Sequence, residues 1–428
     1  MQTSDFDVIV VGGGLVGLSA ALALAHASLR IAIVEKSVAE QDKAPTAECA
    51  DWDARVYAIS PASEASLRAL GAWPDDGRRL TAVTQMQIYG DRAGSKLQFD
   101  AQEAHVGRLA TIVENTQLVR SLSQAIATTP IEMFRPARCE AVEFLSDRAV
   151  LQLHDGRSLR AKLLIAADGA DSWLRQQTGI DTTNIDYEQT AVVANFETTL
   201  PHRGTAFQWF GGDVELGYGG DVQPGFGSGV HSGERDVHAE HQGVLALLPL
   251  AGNRVSMVWS LDNERARSLL AASADTLCNA VTSASHGALG ELELITQPAG
   301  FPLRLVRAAK LALPRLALVG DAAHNLHPLA GQGVNLGFAD VQELSAVLAA
   351  RGPERDVGAL HLLRRYERAR REQILAMTVV THGLQRLFDS AVSPLAWVRN
   401  AGLNLTNRLA PLKALLIKQA LGEPIYPN

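Results

Sequence analysis

The sequence predicts an α/β fold built on a doubly wound parallel β-sheet. The first observation is a strand–helix–strand unit that occupies residues 6–11, 15–27 and 30–34. The second is that two later runs, residues 163–167 and 316–319, are continuously apolar. Strands buried on both faces by helices show continuous apolar runs, whereas half-exposed strands alternate apolar and polar residues.

The remaining segments continue this alternation of strands and helices, with one exception. Further strands are predicted at residues 149–153, 192–198 and 254–260, and helices at residues 61–70, 116–127, 334–350 and 357–377. Between positions 211 and 233, nine of the 23 residues are glycine. Such a composition predicts a loop rather than a packed element.

The composition excludes several classes of protein. The 428 residues are 47% apolar and 20% charged, which is ordinary for a globular protein and too apolar for a disordered one. The net charge of −7 argues against a nucleic-acid binder, because such proteins need a basic surface to neutralise phosphates. Cys49, Cys139 and Cys278 lie far apart and form no CxxC pair, so we expect neither a disulfide scaffold nor a zinc site built from cysteines.

No targeting or membrane-spanning segment is predicted. Asp5 and Asp7 lie where a signal peptide would need a basic region followed by an apolar core. The most apolar stretch, residues 15–25, is shorter than the about 20 residues that cross a bilayer. We therefore expect a cytoplasmic protein.

The C-terminal sequence differs from the rest of the chain. Residues 383–421 carry apolar side chains at helical spacing, with five basic residues and one acidic residue. A basic amphipathic segment of this kind either contacts the inner face of a membrane or packs on the core. Both interpretations stay open on the sequence.

The first strand–helix junction carries a dinucleotide-binding pattern. Gly12 allows a tight turn, Gly14 lets a pyrophosphate approach the backbone, and Gly17 lets the helix and strand pack closely. The helix N-terminus offers free N–H groups and a positive dipole end to the phosphates. Glu35, at the end of the next strand, can accept hydrogen bonds from a ribose.

Two later strands also deliver polar groups to their carboxyl ends. Residues 163–167 lead into Asp168, and residues 316–319 lead into Gly320 and Asp321. Ligands of doubly wound sheets bind at this edge, and Asp321 is placed to bind a polyol such as a ribityl chain. The following PLAGQG run, residues 328–333, opens a helix whose positive end would favour an anionic reduced flavin.

Taken in order, these segments carry a resemblance to a known family. They are the GxGxxG pattern, Arg55-x-x-Ala58-Ile59-Ser60, the Asp-Gly pair at 168–169, and GDAAHxxHPLAGQGVNLG from position 320. The chain resembles the class A flavoprotein aromatic hydroxylases and is most similar to the ubiquinone-biosynthesis hydroxylases. The resemblance runs nearly end to end, but the glycine-rich stretch replaces a short turn of the family.

The resemblance implies a fold like that of p-hydroxybenzoate hydroxylase. A doubly wound FAD-binding Rossmann-type domain is interleaved with a mixed β-sheet substrate domain and followed by C-terminal helices. We expect the FAD-binding domain at residues 1–80, 106–182 and 298–370, the substrate domain at 81–105 and 183–297 with an insertion at 211–242, and amphipathic helices at 371–428.

The resemblance also implies which residues bind FAD. The predicted set is Gly12, Gly14, Gly17, Glu35, Lys36, Arg55, Asn115, Asp168, Gly320, Asp321, Gly331, Gln332, Gly333 and Asn335. No residue is assigned as a catalytic base. The candidates that line the flavin are His324, Pro328 and Gln332.

Some of these residues have a structural interpretation beside the functional one. His324 and His327 either take part in catalysis or fix the loop by hydrogen bonds. Arg55 either contacts FAD or caps a surface helix. Three histidines between residues 231 and 241 either hold a metal or are solvated, and the second alternative is favoured because they lie in the glycine-rich stretch.

By resemblance, the chain hydroxylates the ring of a polyprenylated phenol in ubiquinone biosynthesis through a flavin C4a-hydroperoxide, with O2 and NAD(P)H or another donor. Because of its polyprenyl tail, this hydrophobic substrate would be presented by a membrane surface, a lipid-binding accessory protein or other proteins of the pathway. Two alternatives stay open. One is hydroxylation of a small soluble aromatic acid, with Arg304 or Arg307 binding the carboxylate, and the other is a non-catalytic flavoprotein subunit of a biosynthetic complex.

Overall fold

The computed structural model describes residues 3–25, 29–37, 52–74, 77–90, 95–212, 243–325, 333–352 and 355–389. The predictions for most of the insertion at 211–242 and for the segment beyond residue 389 lie outside these ranges. Within the described residues, no helix is both long enough and apolar enough to cross a membrane.

Twenty strands and eight helices are present in the described part of the chain. The strands of the first half are β1 (Thr3–Val11), β2 (Ile31–Val34), β3 (Val56–Ile59), β4 (Thr81–Val83), β5 (Gln85–Tyr89), β6 (Lys96–Asp100), β7 (Ala110–Glu114), β8 (Glu132–Phe134), β9 (Cys139–Phe144), β10 (Ala149–Leu153) and β11 (Ser158–Ala166). Those of the second half are β12 (Thr182–Thr198), β13 (Thr205–Gly212), β14 (Gly243–Leu250), β15 (Arg254–Asp262), β16 (Leu292–Leu294), β17 (Ala299–Ala308), β18 (Ala312–Leu313), β19 (Leu316–Leu318) and β20 (His324–Asn325). The helices are α1 (Leu15–Ala25), α2 (Pro61–Ala69), α3 (Asn115–Ala127), α4 (Trp173–Gln177), α5 (Asn263–Leu270), α6 (Ala274–Ala284), α7 (Gly333–Ala349) and α8 (Leu360–Asp389).

A parallel sheet forms the centre of the first domain, as predicted. Five of its strands follow the order β19-β11-β1-β2-β8, and each of these pairs in parallel with its neighbour. Antiparallel β18, beside β19, and β10 and β9, beside β11, complete this eight-stranded sheet. All four residues of β2 are buried, which agrees with the continuous apolar run in the sequence. Because the strands are parallel, the residues that follow β1, β2, β11 and β19 meet at one edge of the sheet.

The second sheet has nine strands and is mixed. Its order is β20-β17-β12-β15-β14-β13-β5-β6, with β16 beside β12. Side chains alternate between its faces, as the pleat of a strand requires. In β15, Met257 and Trp259 belong to the hydrophobic core on one face, whereas Val258 and Ser260 line a cavity on the other.

A small sheet of β3, β7 and β4 completes the fold. Strand β4 pairs with β7 in this sheet, whereas β5 and β6 join the nine-stranded sheet. The predicted start of the substrate domain at residue 81 therefore precedes the observed change of sheet by one short strand.

Two other predicted boundaries differ from the observed architecture. The sequence predicts that residues 298–308 belong to the FAD-binding domain, but β17 pairs with β12 along most of its length and belongs to the nine-stranded sheet. The predicted boundary at 370/371 lies inside α8, which runs without interruption from Leu360 to Asp389. Sequence periodicity locates a strand or helix, but strand pairing is set by contacts between residues that are distant in the chain.

Candidate functional site

A cavity of about 480 Å³ lies between the two large sheets. One side of it is the carboxyl edge of the parallel sheet, including Gly14, Gly169 and Asp321. The other side is the face of the nine-stranded sheet formed by β12–β15 and β17, including Val193, Ala246 and Val258. Its volume is in the range of small-molecule binding sites.

In the glycine loop after β1, two glycines are required by the fold and the third leaves space for a ligand. A Cβ on Gly12, where φ is +108°, would lie 2.3 Å from the carbonyl oxygen of Ala167. A Cβ on Gly17 would lie 2.0 Å from the carbonyl oxygen of Gly12. A Cβ on Gly14 would meet no atom within 4 Å, and Gly14 lines the cavity. Two glycines are therefore required by the fold, and Gly14 leaves space for a ligand against the backbone.

Glu35 lies at the end of β2 and contacts this loop. Its Oε2 accepts a hydrogen bond of 2.5 Å from the N–H of Gly13, and its Oε1 accepts one of 2.7 Å from the N–H of Ser37. Lys36 beside it is exposed. The carboxylate is thus held at the mouth of the glycine loop, where its predicted contact with a ribose stays a prediction.

Asp168 follows β11, and one of its two carboxylate oxygens has no hydrogen-bond partner among the described residues. Its Oδ2 accepts a hydrogen bond of 3.1 Å from the N–H of Leu174. Its Oδ1 is buried and has no hydrogen-bond partner among the described residues. A buried carboxylate oxygen without a partner is costly, so this atom is suited to accept a hydrogen bond from a bound ligand.

Asp321 follows β19 in a short 3₁₀ turn and opens into the cavity. Its side chain is exposed to the cavity space while protein surrounds it on the other sides. This enclosure raises the pKa of Asp321 by desolvation, against the opposing effects of His324 and Arg55. A carboxylate in this setting is stabilised by a ligand that supplies hydrogen-bond donors.

Arg55 and Asn115 lie together on the same side of the cavity. The N–H of Asn115 donates a 2.9 Å hydrogen bond to the carbonyl of Arg55. The guanidinium of Arg55 lies over the rings of Tyr57 and Phe301, at 5.4 and 5.6 Å from their centroids. Burial raises the pKa of Tyr57 to about 12, so its phenol stays neutral.

The helix-cap alternative for Arg55 is wrong. The N-cap of α2 is Ser60, whose hydroxyl accepts a hydrogen bond of 3.2 Å from the N–H of Ser63. Arg55 instead lines the cavity and contacts aromatic rings, which leaves its guanidinium available to an anionic group.

The N-terminus of α7 reaches the cavity at Gly333. A Cβ there would meet no atom within 4 Å, as at Gly14. Two residues later, the side chain of Asn335 is bound to β3 and its end, because it accepts from the N–H of Ser60 at 2.9 Å and donates to the carbonyl of Ala58 at 2.8 Å. Because both polar atoms of this side chain are already bound, the FAD contact predicted for Asn335 would involve its backbone. The predicted residues His327, Pro328, Gly331 and Gln332 lie outside the described ranges.

His324 does not line the cavity and makes a buried contact instead. Its Nε2 lies 2.6 Å from Oδ2 of Asp340 in α7. The same oxygen accepts a 2.9 Å hydrogen bond from the N–H of Gly320, and Oδ1 accepts one of 2.7 Å from Nε of Arg370 in α8. The structural interpretation of His324 is favoured by this geometry.

Asp340 is not among the residues predicted from the sequence, although the sequence carries a signal for it. It is the acidic residue on the otherwise apolar, buried face of α7, and an acid at such a position needs a partner. Burial alone would raise the pKa of Asp340, but the charges of His324 and Arg370 outweigh it and lower that pKa.

Arg175 was also missed, and no sequence signal pointed to it. It is buried in α4 and donates hydrogen bonds of 2.7 Å to the carbonyls of Ala170 and Ala322. It thereby joins the loop that carries Asp168 to the turn that carries Asp321. Only the folded chain brings these two carbonyls to one side chain.

Two further groups bear on the open alternatives. Arg304 lines the cavity and forms an ion pair of 2.5 Å with Asp171, whereas Arg307 is not among the lining residues. No group of three metal-ligating side chains occurs in the described part of the chain. The histidines between residues 231 and 241 lie outside it.

Comparisons with known proteins agree with this geometry. The chain is 32% identical to the ubiquinone hydroxylase UbiL of Rhodospirillum rubrum, over 97% of this chain and 89% of that protein. It is 32% identical to the 3-demethoxyubiquinol 3-hydroxylase of Escherichia coli, over 99% of this chain and 100% of that protein.

Solved structures share the fold. The p-nitrophenol 4-monooxygenase PnpA of Pseudomonas putida superposes with a TM-score of 0.74 at 18% identity, and covers 99% of both chains. The structure of pqsL of Pseudomonas aeruginosa, described as a probable FAD-dependent monooxygenase, superposes with a TM-score of 0.72 at 23% identity, over 94% of this chain and all of that one. Residues 5–381 match the family model described as an FAD binding domain, and the chain therefore belongs to this family of FAD-dependent aromatic monooxygenases.

Proposed function

We propose that this protein hydroxylates the aromatic ring of a polyprenylated phenol in ubiquinone biosynthesis. The observation that carries the proposal is that one cavity joins the cofactor edge of the parallel sheet to a largely apolar wall. A ring held against that wall would lie next to the cofactor. The curated relatives named for ubiquinone hydroxylation cover nearly the full chain, which supports this substrate class.

The residues at the cofactor edge fit FAD. Gly14 and Gly333 leave space for a group against the backbone, and Oδ1 of Asp168 lacks a partner within the described chain. We assign Asp321 to the polyol chain and Arg55 to the negatively charged part of the cofactor. When bound, FAD supplies the activation of O2.

The nine-stranded sheet has the task of keeping water from the reacting atoms. Val193, Val244, Ala246 and Val258 present only carbon atoms to the cavity. Exclusion of water suppresses side reactions at the reacting atoms and strengthens the electrostatic interactions inside the site. The apolar wall also suits a substrate whose tail is a hydrocarbon.

A small aromatic acid fits this cavity less well. Such a substrate needs a cation for its carboxylate, because burial of an unpaired carboxylate costs several kcal/mol. On the sheet side of the described cavity, the lining cation is Arg304, and its charge is already balanced by Asp171 at 2.5 Å. We therefore favour a neutral phenol.

The electron donor and the presentation of the substrate belong to the proposal. We assign the reduction to NAD(P)H, which would visit the cofactor edge transiently, since the described chain holds one strand–helix unit of the dinucleotide-binding pattern. The prenyl tail would reach the cavity from a membrane surface or from a lipid-binding partner, with the basic C-terminal segment as the docking element.

The proposal is tested by reconstitution. The protein is loaded with FAD and incubated in air with a prenylated methoxyphenol and either NADH or NADPH, and products are identified by mass spectrometry. We expect a product with one additional ring oxygen, absent when the reductant is omitted. Rapid oxidation of the reductant with hydrogen peroxide as the sole oxygen product, at every prenyl length tried, would overturn the proposed substrate class.

A cell-based measurement complements it. The gene is expressed in an Escherichia coli strain that lacks its 3-demethoxyubiquinol 3-hydroxylase, and the quinones are extracted. Restored ubiquinone identifies the hydroxylated position. Accumulation of an earlier or later intermediate, with the protein present and loaded with FAD, would assign a different ring position.

A further inference from the structure

We propose that Gln208 and Ser260 bind the oxygen substituents of the substrate ring and select a ring with neutral oxygens. The inference rests on the proposed function and assigns the polar contacts of the same site. Both residues lie on the wall of the cavity contributed by the nine-stranded sheet, Gln208 in β13 and Ser260 in β15.

Both side chains are buried and unused. The exposed fraction is 8% for Gln208 and 5% for Ser260. Neither side chain forms a hydrogen bond with any described residue, although both line the cavity. A buried amide or hydroxyl without a partner costs roughly 1–3 kcal/mol, so proteins keep such groups where a ligand or water uses them.

The cross-strand neighbours of Gln208 and Ser260 are apolar. Gln208 pairs across the strands with Ala246, which in turn pairs with Val258. Ser260 lies between Val244 and Ala191. The neighbours on the cavity face therefore offer no polar atom that could satisfy either side chain. Among the cavity-lining residues of β13, β14 and β15, these two carry polar side chains and the others are apolar.

Their separation suits one aromatic ring. Gln208 and Ser260 lie on either side of β14 and are offset by two residues along it. With strands about 4.8 Å apart and a rise of about 3.4 Å per residue, their Cα atoms are roughly 12 Å apart. A ring placed over Val244 and Ala246 would put one edge near the amide and the opposite edge near the hydroxyl.

The chemistry of the pair defines the kind of substituent. An amide and a hydroxyl each donate and accept hydrogen bonds but carry no charge. They can satisfy a phenol hydroxyl, a methoxy oxygen or a ring carbonyl. They cannot offset the desolvation of a carboxylate, which needs a cation. The pair therefore favours a ring with neutral oxygens over an aromatic acid.

The test measures ligand binding to the FAD-loaded protein without reductant, from the change in flavin absorbance on titration. The probes are a methoxyphenol with a short prenyl chain, the same prenylated ring without oxygen substituents, and 4-hydroxybenzoate. For Gln208→Leu and Ser260→Ala we expect about tenfold weaker binding of the methoxyphenol and unchanged binding of the oxygen-free ring. Ser260→Thr, which keeps the hydroxyl, should restore most of the affinity.

Matched controls separate this role from a structural one. Ser256 lies in the same strand as Ser260 and is fully buried, but it does not line the cavity, so Ser256→Ala should leave the affinity for the methoxyphenol unchanged. Gln152→Leu makes the Gln208 change at an exposed position of β10. If Gln208→Leu does not fold, Gln208→Met, which keeps the length of the side chain, replaces it.

The outcomes are distinguishable. Unchanged affinity for the methoxyphenol in both cavity variants, with FAD bound, would overturn the assignment of Gln208 and Ser260 and leave the proposed function intact. Tighter binding of 4-hydroxybenzoate than of the methoxyphenol by the wild-type protein would overturn both the proposed function and this inference.

Discussion

Nε2 of His324 and Oδ2 of Asp340 lie 2.6 Å apart in a part of the molecule that is closed to solvent. Asp340 is also bound by Arg370 of α8 and by the N–H of Gly320, the residue before Asp321. One buried carboxylate therefore ties the last described helix to the turn that presents Asp321 to the cavity. Asp340 positions this turn without facing the cavity itself.

Replacement of Asp340 by asparagine should destabilise the protein strongly. An amide has one acceptor oxygen, so His324 or Arg370 would lose its partner in a buried site. Breaking one side of a buried ion pair costs about 3–5 kcal/mol. Urea unfolding of Asp340→Asn measures the change, with Asp147→Asn, which breaks the exposed pair to Arg148, as control. A loss below 0.5 kcal/mol, the usual range for surface changes, would contradict this role.

Asp340 should also make the protein acid-sensitive. Its folded pKa is lowered below 3.8, so the unfolded chain binds the proton more readily than the folded chain. The stabilisation is present above the unfolded pKa and is lost as the pH falls through the folded one. The free energy of unfolding, measured from pH 6 downward, should fall more steeply in the wild type than in Asp340→Asn. Equal slopes would contradict the lowered pKa.

In the protein without FAD, the contribution of Asp321 to the pH dependence of stability should have the opposite sign to that of Asp340. Its folded pKa is raised, so the ionised carboxylate destabilises the fold as the pH rises through that pKa. Asp321→Asn should therefore raise the melting temperature of the FAD-free protein at neutral pH and reduce its affinity for FAD. Asp321→Ala should likewise give a folded protein with little bound FAD, read from absorbance after desalting. Wild-type FAD content in both variants would contradict the assignment.

Gly12 and Gly14 should respond differently to the same substitution. Gly12→Ala places a Cβ against the carbonyl of Ala167 at positive φ, so we expect a folding defect. Gly14→Ala meets no protein atom, so we expect normal thermal unfolding without FAD and at least tenfold weaker FAD binding by fluorescence titration. Equal FAD affinity in Gly14→Ala and the wild type would show that the cofactor does not approach this position.

Arg304 separates the two substrate classes. If the substrate is a neutral phenol, Arg304→Met should leave its binding to the FAD-loaded protein within about twofold, because the exposed Arg304–Asp171 pair contributes little. If the substrate is an aromatic acid, the same change should remove most of the affinity. Titration of both ligands by flavin absorbance decides between these outcomes, and Arg254→Met, at another partly exposed ion pair of this sheet, is the control.

The sequence alone determined the parallel sheet and the residues at its carboxyl edge. Continuous apolar runs reveal strands buried on both faces, and glycines and carboxylates that directly follow such strands must meet at one edge. These are local patterns, so Gly12, Gly14, Asp168 and Asp321 could be placed without knowledge of distant contacts.

Tertiary structure decided the rest, because it depends on residues far apart in the chain. The pairing of β17 with β12 places β17 in the nine-stranded sheet and not in the FAD-binding domain. The hydrogen-bond partners of His324 and Arg175 lie on other elements. The free amide of Gln208 is significant only because folding surrounds it with apolar neighbours and opens it to the cavity. A sequence reports which groups a chain carries, and packing decides which of them are left without a partner.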